Sequence, residues 1–278
     1  MGSAGVDHEW GTGMSRPRRI LLTNDDGIGA AGLTALRDAI GALGEVTVVA
    51  PSRELSGCAH SITLRVPVLI EEQVDERTYV LSGSPADCVK VAVLALLAER
   101  PDLVVAGINL GANVGVNVLY SGTVAAALEG AIFGIPAVAV SLLWSPKPDF
   151  PAAAGIAAGL IEQALAREGL ERVALNINIP ARPVGEIAGV RVTPQCPIEL
   201  GEAYRDHQES DGRQAYTLTY GDRKPEIPPD SDWALLKAGY VTLTPLRPNL
   251  TSEEWLGRLA SVPWELKGAG GKPEQVSR

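Results

Sequence analysis

ILLTNDDGIGAAGLTALRDAIGALGEVTVVAP, residues 20–51, holds the architecture of this chain in miniature. Ile20-Leu21-Leu22-Thr23 is a short apolar run ending on polar residues, which predicts a buried strand. Across residues 30–43, Leu33, Leu36, Ile40 and Leu43 fall at helical spacing, and Gly44 stops the pattern. Val46-Thr47-Val48-Val49-Ala50 is a second strand, closed by Pro51. Strand, helix and strand at this spacing form a βαβ unit, which implies a parallel sheet.

The alternation continues on both sides of residue 100. Residues 62–70 and 78–81 read as two short strands, 86–98 as a helix, 102–106 as a buried strand and 123–133 as a helix. Residues 137–141 then read as a strand, 152–167 as a helix and 173–177 as a strand. The sum is a doubly wound, Rossmann-like α/β core with a mostly parallel sheet, ending near Pro180. Beyond it the chain is richer in Pro, Gly and charge, and strands, a hairpin and loops are expected, with a late strand at residues 240–246. Thr251 followed by Glu254 predicts a capped short helix over residues 251–259. The expected divisions are a loose extension at 1–17, a core at 18–180, a hairpin-rich extension and C-terminal arm at 181–267, and a disordered tail at 268–278.

Composition narrows the function. The 278 residues are 46% hydrophobic, enough for a sizeable core, and the net charge of −9 argues against duplex nucleic acid as a partner. The three cysteines, Cys58, Cys88 and Cys196, are widely spaced and form no C-x-x-C pair, which fits a reducing cytoplasm and no structural zinc. No apolar run reaches the ~20 residues that span a bilayer, so no membrane association is expected.

In open α/β sheets ligands bind beyond the carboxyl ends of the strands. Four polar loops fall at such ends: Asn24-Asp25-Asp26-Gly27, residues 52–61 with Ser56, His60 and Ser61, residues 107–113 with Asn109 and Asn113, and Tyr120-Ser121-Gly122-Thr123. Adjacent Asp25 and Asp26 repel each other, and a hard cation such as Mg²⁺ or Mn²⁺ removes that repulsion. Ser56 and Asn109 can add neutral oxygens. The same aspartates also suit a plain turn and helix cap. Ser121-Gly122-Thr123 opens a helix, where free N–H groups and two hydroxyls offer an anion site or an ordinary cap. His60 suits a phosphate contact or a general acid. Asp87 reads as a first-turn partner of its helix dipole, and Cys58 and Cys88 as structural. Gly27-Ile28-Gly29-Ala30-Ala31-Gly32 matches the dinucleotide fingerprint G-x-G-x-x-G. The aspartates before it oppose a pyrophosphate, and Ala50-Pro51-Ser52-Arg53 lacks the acidic ribose partner, so an oxidoreductase is the weaker alternative. The glycines serve a tight turn and close helix packing.

Taken in order, these segments resemble the SurE family, the survival-protein nucleotidases. The match runs from residues 20–27 through Ala50-Pro51, Ser56-Gly57, His60-Ser61-Ile62-Thr63 and residues 83–89. It continues through Gly107-Ile108-Asn109, Gly111-Ala112-Asn113 and residues 120–124 to Glu129-Gly130. The resemblance implies a metal-dependent phosphomonoesterase, a phosphatase of the 5'/3'-nucleotidase type acting on nucleoside monophosphates, with one divalent cation per subunit (Mg²⁺ or Mn²⁺). It implies metal ligands Asp25, Asp26, Ser56 and Asn109, with Asp25, Asp26 and Asn109 catalytic. Asn24, His60, Ser61, Asn113, Ser121, Gly122 and Thr123 become the expected phosphate and substrate contacts. A homodimer or homotetramer with a C-terminal arm is the implied assembly. Leu110 and Asn117 depart from the usual family pattern beside the pocket, so a member retasked to a phosphorylated biosynthetic intermediate is a second expectation.

Overall fold

Strands that are apolar on both faces need helices on both sides, and the chain supplies them. A computed structural model describes residues 16–198, 201–220 and 225–264. The expected tail at 268–278, and residues 1–15 of the expected extension, lie outside the described residues. The elements run β1 (Arg18–Thr23), α1 (Ala31–Ile40), β2 (Gly44–Pro51), β3 (Ile70–Asp75), β4 (Thr78–Leu81), α2 (Pro85–Val91), β5 (Leu103–Leu110) and α3 (Gly122–Ile132). They continue with β6 (Ala137–Leu142), α4 (Phe150–Leu165), β7 (Ala174–Ile179), β8 (Val190–Val192), β9 (Glu202–Gln208), β10 (Gln214–Tyr220), α5 (Asp232–Lys237), β11 (Val241–Leu246) and α6 (Glu253–Ala260).

One nine-stranded sheet has the order β3-β4-β2-β1-β5-β6-β7-β11-β8. The pairs from β4 to β7 are all parallel, while β3 and β11 pair antiparallel with β4 and β7. Side chains alternate along each strand. Ile20 and Leu22 therefore join Leu33, Leu36, Ala157 and Ile161 of α1 and α4, whereas Leu21 joins Val89, Val124 and Ala127 of α2 and α3. The chain leaves β1 toward β2 and later returns to its other side at β5. The strand order thus reverses between β1 and β5, the switch point where open sheets form their crevice.

The local patterns hold with shifted ends and four corrections. No strand forms over residues 62–69, and β3 begins only at Ile70, fully exposed at the sheet edge. Thr63 gives its N–H to the Asp87 carboxylate at 3.0 and 3.2 Å, and Pro67 has no N–H to give, so this stretch cannot sustain a ladder. The C-terminal helix is capped by Ser252, whose Oγ accepts from Trp255 N, rather than by Thr251. The helix expected over 86–98 is α-helical only to Val91 and then turns π-helical over Ala92–Leu96. The sheet itself continues past Pro180, because β11 and β8 extend it. β9 and β10 form a separate two-stranded hairpin. The described residues from Asn249 on belong to a second unit, and α6 within it leaves Trp255, Leu256 and Leu259 exposed.

Candidate functional site

The loops after β1 and β5 flank the switch point, and each is shaped by hydrogen bonds that start from its own sequence. Asn24 is fully buried and its Nδ2 donates to Gly27 O at 2.8 Å, which closes the turn that presents Asp25 and Asp26. Gly27 has φ +90°, and a Cβ there would stand 3.0 Å from the Arg53 backbone, so the turn requires glycine. Gly32 permits close packing, since a Cβ on it would meet Ile108 O at 2.2 Å. Two of the three fingerprint glycines, Gly27 and Gly32, thus serve geometry, while a Cβ at Gly29 would meet nothing within 4 Å.

Asp25 is buried, and the Thr123 hydroxyl donates to its Oδ1. Burial raises the Asp25 pKa, opposed by that hydroxyl and by the backbone N–H groups of Thr123 and Gly122. The N-terminus of α3 therefore faces a carboxylate of the chain's own. Asp26 is pushed up to about 6 by burial first, then by the charges of Asp25 and Glu54, against the Leu110 N–H. Among the described residues neither carboxylate has a Lys, Arg or His partner, and no three His, Cys, Asp or Glu converge as a metal cluster. The pair has the Thr123 hydroxyl on Asp25, and the Leu110 N–H and the Glu54 carboxylate beside Asp26.

Asn109 emerges where the β5–β6 ladder breaks register between Ala106 and Asn109. Such an irregularity re-aims the following side chain. Its Nδ2 donates to Gly111 O at 2.7 Å, leaving the amide oxygen as the free acceptor. Ser56, exposed in the loop after β2, donates to Glu54 at 2.9 Å. Glu54 is a carboxylate that the motif reading passes over; its place two residues before Ser56 was the available signal.

Asn113 is held by a buried network that local reading also misses. Its N–H donates to Asn178 Oδ1 at 2.8 Å, and its carbonyl accepts from Asn176 and Asn178 at 2.7 and 3.1 Å. Its Nδ2 donates to Ser141 Oγ at 2.8 Å. Gly115, two residues on, is pinned by the buried Asp232, which accepts from Gly115 N at 2.9 Å. Ser121 caps α3 by accepting from Val124 N at 3.1 Å. Gly122 cannot carry a side chain, because a Cβ would lie 2.8 Å from both Asp25 Cβ and Cys58 Sγ. Cys58 thus packs against the site as a thiol whose pKa is raised by burial and by Asp25.

His60 goes elsewhere. Its Nε2 lies 2.8 Å from Glu129 Oε2, and Lys90 Nζ lies 2.5 Å from Glu129 Oε1. Glu129 is seven residues beyond Gly122 in α3, roughly 10 Å along the helix axis. Burial would raise Glu129, but the His60 and Lys90 hydrogen bonds outweigh it and hold the carboxyl low. Ser61 contributes its carbonyl to Ser84 Oγ at 2.7 Å. Asp87 completes a capping box with Ser84 and also accepts from the Thr63 hydroxyl at 2.6 Å. The loop of residues 58–63 is thereby anchored to α2 and α3 through two carboxylates. The structure brings Asn24, Asp25, Asp26, Gly122 and Thr123 together, and it ties His60 to Glu129 of α3 and Ser61 to Ser84 at the start of α2.

The comparisons with known proteins agree with this architecture. The family model described as survival protein SurE matches residues 20–201. A protein named 5'-nucleotidase SurE from Rhodopirellula baltica is 44% identical over 255 residues, covering 90% of this chain and 99% of the relative. Another of that name from Solidesulfovibrio magneticus is 45% identical over 251 residues, covering 87% of this chain and 96% of the relative. The crystal structure of the SurE protein from Aquifex aeolicus superposes with a TM-score of 0.78 at 35% identity, covering 87% of this chain and 98% of that one.

Proposed function

From the premise that the chain belongs to the SurE family, we propose that it is a metal-dependent phosphoric monoester hydrolase of the 5'-nucleotidase type, acting on nucleoside monophosphates. The observation that carries this reading is the Asp25–Asp26 pair at the switch point: two adjacent carboxylates, both raised, without a cationic side chain among the described residues. Such a donor set suits a hard divalent cation. In this reading Asp25, Asp26, Ser56 and Asn109 would hold one Mg²⁺ or Mn²⁺. When bound, such a cation supplies Lewis acidity toward a phosphoryl oxygen and acidifies water.

The chain's own groups orient the ester. Thr123 fixes the rotamer of Asp25 through its hydroxyl. Asn113, locked by Asn176, Asn178 and Ser141, keeps its amide oxygen as the one side-chain atom left to accept. Ser121 and the first N–H groups of α3 favour negative charge at the helix start. His60 and Ser61 bound the substrate from the outer wall rather than touching the reacting phosphate. The three unpaired cysteines suit a reducing cytoplasm, and no helix among the described residues is long and apolar enough to cross a membrane. The exposed aromatic and aliphatic side chains of α6 suit a homodimer or homotetramer. Phosphate release from a panel of nucleoside monophosphates and simple phosphate esters, with and without Mg²⁺ or Mn²⁺, tests the reading. Turnover that needs a divalent cation and favours nucleotides supports it, and cation-independent turnover refutes it.

A further inference from the structure

Asp232 is wholly buried, yet no cationic side chain pairs with it among the described residues. Burial raises its pKa, against the N–H groups of Gly115, Cys196 and Trp233. A buried carboxylate without a cation is costly. Capping its own helix does not explain it, because Ser231 already caps α5 by accepting from Ala234 N at 3.4 Å. The carboxylate reaches other segments instead. Its Oδ1 accepts from Trp233 N at 2.8 Å and from Cys196 N at 2.9 Å. Its Oδ2 accepts from Gly115 N at 2.9 Å, 117 residues away in sequence. Gln195 completes the grip, its Nε2 donating to Gly115 O at 2.8 Å. Both backbone polar groups of Gly115 are thereby held by residues that follow β8.

Gly115 is joined to the aspartate pair by a short, hydrogen-bonded stretch of chain. It opens a 3₁₀ turn over Gly115–Leu119, which ends where α3 begins. Asn117 N donates to Val114 O at 3.2 Å, and Asn117 O accepts from Tyr120 N and Ser121 N at 3.0 and 3.1 Å. Val114 and Val118 are buried, so the turn is anchored by packing as well. Next come Gly122, where a Cβ would lie 2.8 Å from Asp25 Cβ, and Thr123, whose hydroxyl and N–H face the Asp25 carboxylate. Every link from Asp232 to Asp25 is thus a hydrogen bond or a peptide bond.

We propose that Asp232, with Gln195, is a positioning residue of the hydrolytic site: the two clamp the 3₁₀ turn at Gly115 so that the start of α3 meets Asp25. The inference rests on the phosphomonoesterase reading for the reaction that the clamp serves. A carboxylate suits this task and an amide does not. Three N–H groups converge on two accepting oxygens, and asparagine has one. In Asp232→Asn the amide oxygen keeps most hydrogen bonds by taking the place of Oδ1, where Cys196 and Trp233 both donate. The amide NH₂ then faces the Gly115 N–H, donor against donor. The clamp on the turn opens, while Ser231 still caps α5.

The test combines kinetics with amide hydrogen exchange on the full chain. With Mn²⁺ and adenosine 5'-monophosphate, Asp232→Asn and Gln195→Ala should each lower kcat/KM about tenfold, within the range for a small misplacement remote from the chemistry. Added to Thr123→Val, Asp232→Asn should cost little more, because it acts through the same Thr123–Asp25 contact. Losses that multiply would mark a general loosening and overturn the proposal. Gln195→Ala leaves the buried carboxylate in place and carries the test if Asp232→Asn does not fold. An unchanged kcat/KM in either folded variant also overturns the proposal. Exchange at residues 115–123, measured without cation, should quicken about tenfold in both variants. If the unaltered chain releases no phosphate, the phosphatase reading fails by itself and exchange decides the clamp: quickened exchange upholds it, and unchanged exchange removes it.

Discussion

His60 Nε2 and Glu129 Oε2 stand 2.8 Å apart across 69 residues of sequence, and Lys90 holds the other oxygen of the same carboxylate. Glu129 is nearly inaccessible, with 3% of its side chain exposed, while His60 and Lys90 are about a third exposed. The contact latches the loop of residues 58–63 onto α3.

Glu129→Ala should therefore destabilise the fold and loosen that loop. Loss of two hydrogen bonds to a charged group sets a scale of about 1.5–3 kcal/mol, and the exposure of both partners favours the lower end. In the proposed reading, where this loop bounds the substrate away from the reacting phosphate, KM should rise more than kcat falls. Glu129→Gln, which keeps an acceptor, should recover part of both effects. Urea unfolding and steady-state kinetics give the two readouts, and a variant with unchanged stability and KM would remove the latch from the account.

Asp25→Asn and Asp26→Asn should each abolish turnover and blunt stabilisation by Mn²⁺. A cation at a hundred times its Kd stabilises the native state by about 2.7 kcal/mol, and the variants should lose most of that shift. Without cation, Asp26→Asn should melt above the unaltered protein, because it removes one charge from an unrelieved carboxylate pair. Thermal melts with and without Mn²⁺ measure both signs, and equal Mn²⁺ shifts in all three proteins would contradict the metal site.

Thr123→Val removes the hydroxyl that orients Asp25. A fall in kcat/KM on the order of 10²-fold is expected, the scale of losing one preorganised polar contact. The factor should be similar for every ester, because in the proposed reading Asp25 serves the shared phosphate. Kinetics over a panel of esters settle the matter, and a reordering of substrates would move Thr123 to the leaving-group side.

Asp102 provides a pH test away from the site. Burial opposes its charge, but hydrogen bonds from Arg16 and Arg19 outweigh burial and bring the carboxyl to about 2. A folded pKa below the unfolded value of ~3.8 means that the native state favours the carboxylate. Its contribution is complete above about pH 4 and disappears as pH falls toward 2. Asp102→Asn should cost stability at pH 7 and much less at pH 2.5, as read by urea unfolding. An equal gap at both values would assign the effect to something other than this charge.

The chain should be at least a dimer at micromolar concentration, and cutting it after Leu246 should weaken the assembly. Trp255, Leu256, Leu259, Val262 and Trp264 are all exposed, an apolar content that calls for a covering surface. Light scattering that finds a monomer of the full chain would reject this.

Apolar periodicity by itself determined the βαβ alternation, because burial on both faces writes long apolar strands and helices with one apolar stripe into neighbouring residues. It also determined which loops end the parallel strands, and so brought the aspartate pair, Asn109 and the start of α3 into one set. Tertiary structure alone decided what those residues touch. Thr123 meets Asp25 across 98 residues, Asn178 meets Asn113 across 65, and His60 meets Glu129 across 69. The apolar pattern of residues 62–70 predicts a strand, yet the strand begins only at Ile70, since Asp87, twenty-four residues after Thr63, takes an N–H that a ladder would need. A hydrogen bond between distant residues depends on strand order and on which polar groups burial leaves unpaired, and neither is expressed in the spacing of neighbours along the chain.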